Sequence, residues 1–371
     1  MKNKKIALVF LGDYRFDGRC YNMIMTLIKN KCYVDVYHHG NRVDCGNIQS
    51  DFLKEISINC SHQKIYKYLD WTNKIYNEIK IKKYDYVVAS DLYSLFPVCL
   101  ISQKNNIIYD SREIYTQLAA HHNSLIKKKI LGFVEAYCIQ KIKTIVTTAV
   151  SDTKYLKTIY NQATTIKYYT IYNFPLKTVF NKKTDYLKEK YKINNKQNIL
   201  LYQGVVQSGR GIQKMINVVY KTKNNVGFIV GDGEYKKHYQ NYVKKHALEN
   251  KIYFINQVPY KQLLQITASA NVGFALISPI SISNKLALPN KLFEYAACGV
   301  PCLASLLPNM EKYIINYNLG LCVENAISKH IKAVNYLTEK TQQRFHFKNR
   351  LLNHLSWNKQ EDLFMKLFTS K

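Results

Sequence analysis

Leu288 to Ser305 reads LPNKLFEYAACGVPCLAS, and this stretch decides the fold. Pro289 carries the fixed φ suited to a helix start. Leu292, Phe293, Ala296 and Ala297 then recur on one helical face, and Gly299 followed by Pro301 stops the helix before a strand over Pro301 to Ser305. At such a helix start the unpaired backbone N–H groups and the positive end of the dipole favour an anion, and Lys291 adds a full charge. Glu294, one turn deeper, sits too far in to repel a phosphate but can accept hydrogen bonds from two vicinal hydroxyls. Phosphate followed by ribose describes a nucleotide. A plainer reading stands beside it: acidic residues are common in first helical turns for capping reasons, and a lysine there is usually solvated.

The surrounding chain fits an open parallel sheet. Ile6 to Leu11 predicts a buried strand, Arg19 to Asn30 a helix, and Tyr33 to Tyr37 a second strand, together a βαβ unit. Further strands are expected at Tyr86 to Ala89, Ile107 to Tyr109, Thr144 to Ala149 and Thr165 to Ile171, with a long helix from Leu125 to Lys143. The pattern breaks at Asn173 to Pro175, and a polar, lysine-rich segment runs to Asn198. The alternation then resumes over Ile199 to Gln203, Ile212 to Lys221, Gly227 to Val230, Lys236 to Ala247, Ile252 to Ile255, Tyr260 to Ala268 and Val272 to Leu276. The expected division is residues 1–174, residues 175–355 and a closing amphipathic helix in 356–371, whose apolar positions are Leu363, Phe364, Leu367 and Phe368.

With 371 residues, two domains of ordinary size are the default. The net charge of +29 favours polyanions, whether nucleic acid, an acidic membrane leaflet or a phosphorylated substrate, although the joint abundance of Lys, Asn, Ile and Tyr also fits compositional drift. Nine cysteines without a C-x-x-C pair point to reduced thiols, with neither a disulfide framework nor a zinc site. The apolar run at the N-terminus is too short for a signal peptide, and no segment reaches the ~18 apolar residues of a membrane span, so the expectation is a cytoplasmic protein with at most peripheral membrane contact.

Gly204 to Gly211, GVVQSGRG, lies between an expected strand and helix, where glycine permits close backbone approach to phosphate and Arg210 could clamp two oxygens. An ordinary glycine-rich turn is the alternative. Gly231-Asp232-Gly233 ends another strand and reads first as a plain turn. In the first half, Gly12 follows strand one, Asp91 follows another strand, and DYRFDGR, Asp13 to Arg19, carries an Asp-x-Arg pattern at Asp17 to Arg19, with a solvated loop as the equal alternative. Tyr109 to Tyr115, YDSREIY, lies at the carboxyl end of a strand, where ligand-facing residues belong.

These segments, PNKLFEYAACGVPCLAS above all, resemble the group 1 glycosyltransferases, the large family 4 of GT-B-fold enzymes. The resemblance spans nearly the whole chain and is strongest over residues 199–305. It implies an α/β fold of two Rossmann-like, doubly wound parallel-sheet domains facing across a cleft, the first binding the acceptor and the second the donor, with the Ser356-Trp357 helix crossing back to the first. It implies a hexosyltransferase-like enzyme that moves a sugar from a UDP- or GDP-sugar to a glycan or polyprenyl-linked acceptor, with retention and without a metal or resident cofactor. The expected setting is synthesis of capsule, lipopolysaccharide or another surface polysaccharide at the inner face of the cell membrane, with contact to anionic lipid and none to nucleic acid.

Residue by residue, the resemblance places Arg210 and Lys291 on the donor diphosphate. Gly12, Gly204, Asn290, Leu292, Phe293 and Glu294 line the donor site, and the backbone at Gln257 and Val258 meets the base. Glu113 is the acid/base or acceptor-orienting candidate beside Arg112, which replaces the family's usual histidine and so keeps a hydrogen bond to a sugar hydroxyl but removes neutral imidazole chemistry. Two departures stand out. Val205 replaces a second basic residue, and Leu286 stands where the family commonly has a first glutamate eight positions before Glu294, leaving donor-sugar contacts to Ser281 to Lys285 or nearby backbone. Two rivals remain: a nucleotide-sugar epimerase of the same fold, and a basic nucleic-acid-binding protein, for which no zinc-finger spacing or single basic arm is present.

Overall fold

The computed structural model describes residues 2–40, 48–60, 64–101, 106–119, 124–160, 165–176, 184–342 and 353–369. The chain divides into two compact units, Met1–Asn173 with Trp357–Lys371, and Phe174–Ser356.

The first unit runs β1 (Lys5–Phe10), α1 (Gly18–Lys29), β2 (Tyr33–His38), β3 (Leu53–Ser57), α2 (Lys64–Lys80), β4 (Tyr86–Ala89), α3 (Leu92–Cys99), β5 (Ile107–Ser111), α4 (Leu125–Ile139), β6 (Thr144–Thr147), α5 (Val150–Ile159) and β7 (Lys167–Thr170). The strands pair in parallel in the order β3-β2-β1-β4-β5-β6-β7, with Ile6 of β1 opposite Val34 on one side and Tyr86 on the other. Burial on both faces explains the unbroken apolar run of β1. One face carries a core in which Trp71, Ile75 and Ile79 of α2 and Leu92, Leu95 and Val98 of α3 meet Ala7, Val9, Val87 and Ile145. Trp357, fully buried, donates its indole N–H to Thr26 Oγ1 of α1 at 2.8 Å.

The second unit runs α6 (Tyr186–Tyr191), β8 (Asn198–Gln203), α7 (Ile212–Lys221), β9 (Asn225–Val230), α8 (Lys236–Lys245), β10 (Ile252–Ile255), α9 (Tyr260–Ala268), β11 (Val272–Ala275), α10 (Ile282–Lys285), α11 (Asn290–Ala297), β12 (Cys302–Ser305), α12 (Pro308–Tyr317), β13 (Gly320–Val323) and α13 (Ile327–Gln342). Its parallel sheet has the order β10-β9-β8-β11-β12-β13. Each sheet therefore grows in one direction from its first strand, then restarts beside that strand and grows in the other. This is the doubly wound pattern, and it leaves a crevice at the carboxyl ends of the strands flanking the reversal, β8 and β11 here.

Three expectations change. The lysine-rich segment before Asn198 contains α6, because Leu187 is fully buried and Lys192, at φ 52°, closes the helix in a left-handed turn. The tail is two short pieces rather than one helix: a 3-10 turn over Trp357–Lys359 and α14, Glu361–Lys366. The charges of Asp13 to Arg19 are not solvated. Arg15 and Arg19 are buried, and Asp17 caps α1 by accepting from the Cys20 N–H at 2.7 Å. Among the described residues no helix is long and apolar enough to cross a membrane.

Candidate active site

In the second unit the opening motif forms α11 and β12. Pro289, with ψ 142°, stands before the first helical residue, and the helix closes with Gly299 in the left-handed region at φ 71°. The Val300 N–H reaches the Tyr295 carbonyl at 2.9 Å and the Gly299 N–H the Ala296 carbonyl at 3.1 Å, the paired closure that turns the chain sharply into β12. Leu292 and Phe293 are core residues: Phe293 packs edge-on against Phe174 at 4.7 Å and Tyr313 at 5.2 Å. Their side chains are thus closed to a ligand, and the Leu292 N–H is already bonded to the Pro289 carbonyl at 3.1 Å. This corrects the expectation for these two positions, whose contribution is to anchor the helix. The amides of Asn290 and Lys291 come first in that turn.

Lys291 lies across the face of Tyr202, its ammonium 3.7 Å from the ring centroid. Tyr202 is held in place by donating to the Val205 carbonyl at 2.6 Å. Gly204, at φ 118°, opens the backbone beside this ammonium: a Cβ there would come within 3.5 Å of Lys291 Nζ. The loop then returns through Gly211 at φ 79°, where a Cβ would stand 2.1 Å from the Leu276 carbonyl oxygen, so only glycine lets α7 start so close to β11. Arg210 leans on Gln207, whose amide oxygen, in the orientation that satisfies both groups, accepts from its Nε at 2.9 Å and Nη2 at 3.1 Å.

Lys291 forms no salt bridge among the described residues. Burial lowers its ammonium to a pKa of about 7, and the positive charge of Arg210 lowers it further against the smaller opposing pull of Glu294. A buried ammonium that feels the charge of Arg210, with only the weaker pull of Glu294 against it, suits an anion.

Glu294 is buried, and Gln203, the last residue of β8, donates to its Oε2 at 2.5 Å. Gln203 in turn accepts from Thr267 Oγ1 of α9 at 2.8 Å, so three elements fix the direction of one carboxylate. Sequence reasoning missed Gln203. The available signal was a polar residue ending the otherwise apolar strand NILLYQ, but its partner lies 91 positions away. At the ends of β9 and β10, Lys236 bonds Asp232 Oδ1 at 2.7 Å and Asn256 Oδ1 at 2.5 Å, and the Gln257 N–H approaches Asp232 Oδ2 at 3.4 Å. The Gly-Asp-Gly turn therefore braces the segment ending in Gln257, which is exposed, and Val258, which is half-buried.

In the first unit, Arg112 is committed elsewhere. It donates to Asp110 Oδ2 and Asp17 Oδ2, each at 3.0 Å, and to Cys20 Sγ at 3.0 Å, with its guanidinium 4.6 Å from the Phe10 ring centroid. Arg19 meets the same Asp110 through Nε and Nη2, at 3.0 and 2.6 Å to Oδ1, and binds the Ile171 carbonyl at 2.8 Å. Burial works against the Asp110 charge, but the two guanidiniums outweigh it and hold its carboxyl below the usual carboxylate range. This is a structural ionic knot, and it corrects the expectation of a sugar-facing Arg112. Asp91 is also spent, capping α3 through the Ser94 N–H at 2.6 Å and holding the Leu11 N–H at 3.0 Å. Gly12 bonds the Phe10 carbonyl at 2.8 Å, and its Cα faces the Phe10 ring. Glu113 remains exposed past the end of β5. Near it lies Asp152, whose carboxyl burial raises to about 6, against the hydroxyls of Thr148 and Ser151 and with a further push from Glu113.

Two Rossmann-like units, the second carrying paired cations and a braced carboxylate at its switch point, define an α/β protein of the nucleotide-handling class. Residues 183–351 match the family model of the glycosyl transferases group 1, so the second unit carries a group 1 glycosyltransferase domain, and the chain has the GT-B fold. Among solved structures, sucrose-phosphate synthase from Thermosynechococcus elongatus is similar with a TM-score of 0.80 at 16% identity, both chains covered in full. Anabaena HepE in complex with UDP-glucose has a TM-score of 0.74 at 12% identity, again with full coverage of both. WaaG, a glycosyltransferase involved in lipopolysaccharide biosynthesis, has 0.69 at 13% identity over 97% of this chain and 99% of its own. At these identities the likeness concerns the fold. No curated protein matches the chain by sequence.

Proposed function

We propose that the chain transfers a sugar from a UDP- or GDP-sugar to a glycan or polyprenyl-linked acceptor in surface-polysaccharide synthesis, such as that of capsule or lipopolysaccharide. The observation that carries the reading is the Lys291–Arg210 pair, two cations whose mutual repulsion a pyrophosphate would relieve. In this reading the pyrophosphate lies at Arg210, Lys291 and the first amides of α11. The ribose diol reaches Glu294 as Gln203 holds it, and the base meets the segment Asn256 to Val258. The UDP-glucose bound to HepE, a protein of like fold, supports this choice of donor.

In the transfer step the bond between the sugar C1 and the terminal phosphate oxygen breaks, and the pair of electrons stays with the departing nucleoside diphosphate. The acceptor oxygen bonds to C1 and gives up its proton. Charge gathers on the leaving oxygen, and Lys291 and Arg210 are fixed where it gathers, so stabilisation costs no reorganisation at the moment of reaction. These cations occupy the role a divalent ion would otherwise fill, and the proposal includes metal independence and retention at C1. Glu113 orients the acceptor hydroxyl or receives its proton. Work at the inner face of the membrane, through peripheral contact with anionic lipid, belongs to the same proposal.

Titration with UDP-glucose and a GDP-sugar, followed by calorimetry, tests the donor site. The wild-type chain binds at least one of them, and Lys291→Glu weakens that binding by about 100-fold or more, the order of cost when a buried charge contact is reversed. Equal affinity in the two proteins would remove the assignment. Donor incubated without acceptor and returned as an isomer would make the enzyme an epimerase, and loss of transfer in EDTA with recovery on adding Mg²⁺ would end the claim of metal independence.

A further inference from the structure

Helix α4 is apolar on its outer side as well as on its inner one, where Leu131, Val134, Cys138 and Ile139 join the core. Ile126, Ile130, Phe133 and Tyr137 recur at helical spacing and all face solvent, with Ile126 and Phe133 exposed to 73% and 77%. The inward face carries Glu135, fully buried and bonded to Tyr109 at 2.8 Å and Tyr160 at 2.9 Å. Isolated exposed apolar residues are ordinary, but a four-residue stripe on one helix is not. Lys127, Lys128 and Lys129 follow Ile126 directly, and Glu135 is the one acid in the whole helix, so the outward side is apolar and basic with no exposed carboxylate.

The stripe extends to a neighbour. Tyr68 of α2 stacks on Tyr93 of α3 at 4.5 Å, and Phe96 of α3 meets Tyr137 of α4 at 6.4 Å, which makes the three helices one layer on one face of the first unit's sheet. The first turns of α2 add Ile65 and Leu69, both exposed. Helices α2 and α4 follow β3 and β5, so both begin at the carboxyl edge of that sheet, where Glu113 also lies.

We infer that the outward face of α4, with the start of α2, docks on an anionic lipid bilayer. An apolar stripe flanked by lysines matches the interface of such a bilayer, with the side chains entering the acyl boundary and the lysines meeting headgroup phosphates. The charge complementarity is what selects a membrane over another protein face: a partner would have to supply both an apolar groove and an acidic border. The inference names the surface for the membrane contact in the functional reading above, and it stands or falls independently of the sugar chemistry. A lipid-linked acceptor would thereby meet the carboxyl edge that carries Glu113.

Co-sedimentation of the full chain with vesicles of phosphatidylcholine alone, and with ~30% phosphatidylglycerol, tests it. The wild-type chain pellets with the anionic vesicles. The double variant I126S/F133S binds them at least about tenfold more weakly, because each side chain loses the transfer energy of a buried apolar group. K127Q/K128Q/K129Q loses the preference for anionic lipid, and I315S, which removes an equally exposed isoleucine from α12 of the second unit, changes nothing. All these sites are exposed except the half-buried Lys128, so folding is checked by unchanged thermal melts, and the donor site by unchanged nucleotide affinity. Wild-type protein left in the supernatant, or I126S/F133S binding like wild type, overturns the inference. So does a wild-type dimer in solution that F133S converts to monomer without any vesicle binding, since the face then pairs with a second copy.

Discussion

Nucleotide affinity should fall steeply as pH rises through neutrality, and Lys291 is the reason. In the free protein its ammonium has a pKa of about 7 because burial and Arg210 both disfavour its charge. A bound pyrophosphate places negative charge beside it and returns that pKa toward the ordinary lysine value near 10.4. If only the ammonium form holds the diphosphate, the dissociation constant scales as one plus ten to the power of pH minus the free pKa. With that pKa at about 7, affinity drops by about 100-fold from pH 6 to pH 9. The two phosphates of a nucleotide sugar carry no group that titrates in this window, so UDP-glucose isolates the lysine. Calorimetry in two buffers of different ionisation heat provides the second readout: at pH 8 close to one proton enters the complex per nucleotide bound. Lys291→Arg keeps the charge but not the titration, so its affinity stays nearly level over the same range. A flat wild-type profile, or one that K291R shares, would refute the reasoning.

Two further outcomes follow from the geometry. Gln203→Leu leaves Glu294 without the amide that aims it and weakens nucleotide binding by about 10-fold, as loss of a supporting hydrogen bond commonly does. Loss of the ribose hydroxyl contact explains the effect only if a 2′-deoxy nucleotide is affected much less, and competition binding with the two nucleotides decides this. Asp110→Ala leaves the buried Arg19 and the half-buried Arg112 without their shared carboxylate and costs about 3 to 5 kcal/mol, read as a lower denaturant midpoint. A wild-type midpoint would show that the ionic knot is not structural.

The sequence revealed elements whose apolar pattern is local and missed those that depend on distant partners. Strand β10 and helix α7 fall where the spacing places them, and β1 begins and ends one residue earlier than expected, since burial on both faces writes an unbroken apolar run. Strand β3 has half-exposed and exposed residues throughout and carries no such signal. Helix α2 was missed because Ile65 and Leu69 on its outer side blur the period that Trp71, Ile75 and Ile79 establish on the inner side. The helix expected over Leu125 to Lys143 stops at Ile139, where the Lys141 N–H turns back to the Cys138 carbonyl. At the candidate site, Lys291 and Glu294 were readable because three positions of one helix tie them together. Gln203 and the commitment of Arg112 were not, because their partners lie 91 and 95 residues away in the chain.

The same like-charge arrangement that would bind a donor weakens the empty protein. Lys291 titrates at about 7 when folded and near 10.4 when unfolded, so between these values the unfolded chain binds the extra proton and stability rises with pH. Below pH 7 the lysine is charged in both states and the penalty is fully present. Lys291→Met removes the charge while keeping an unbranched apolar stem against Tyr202, so at pH 6 to 7 it should stabilise the unliganded protein by about 1 to 3 kcal/mol, allowing for the partial access of solvent to the ammonium. The gain should disappear by pH 10 to 11, and the variant should lose the thermal stabilisation that a nucleotide gives wild type. A residue retained for packing would behave oppositely, with K291M destabilised at every pH. Melting curves from pH 6 to 10, with and without UDP-glucose, separate the two cases, because only a residue held in place for its ligand costs stability when the ligand is absent.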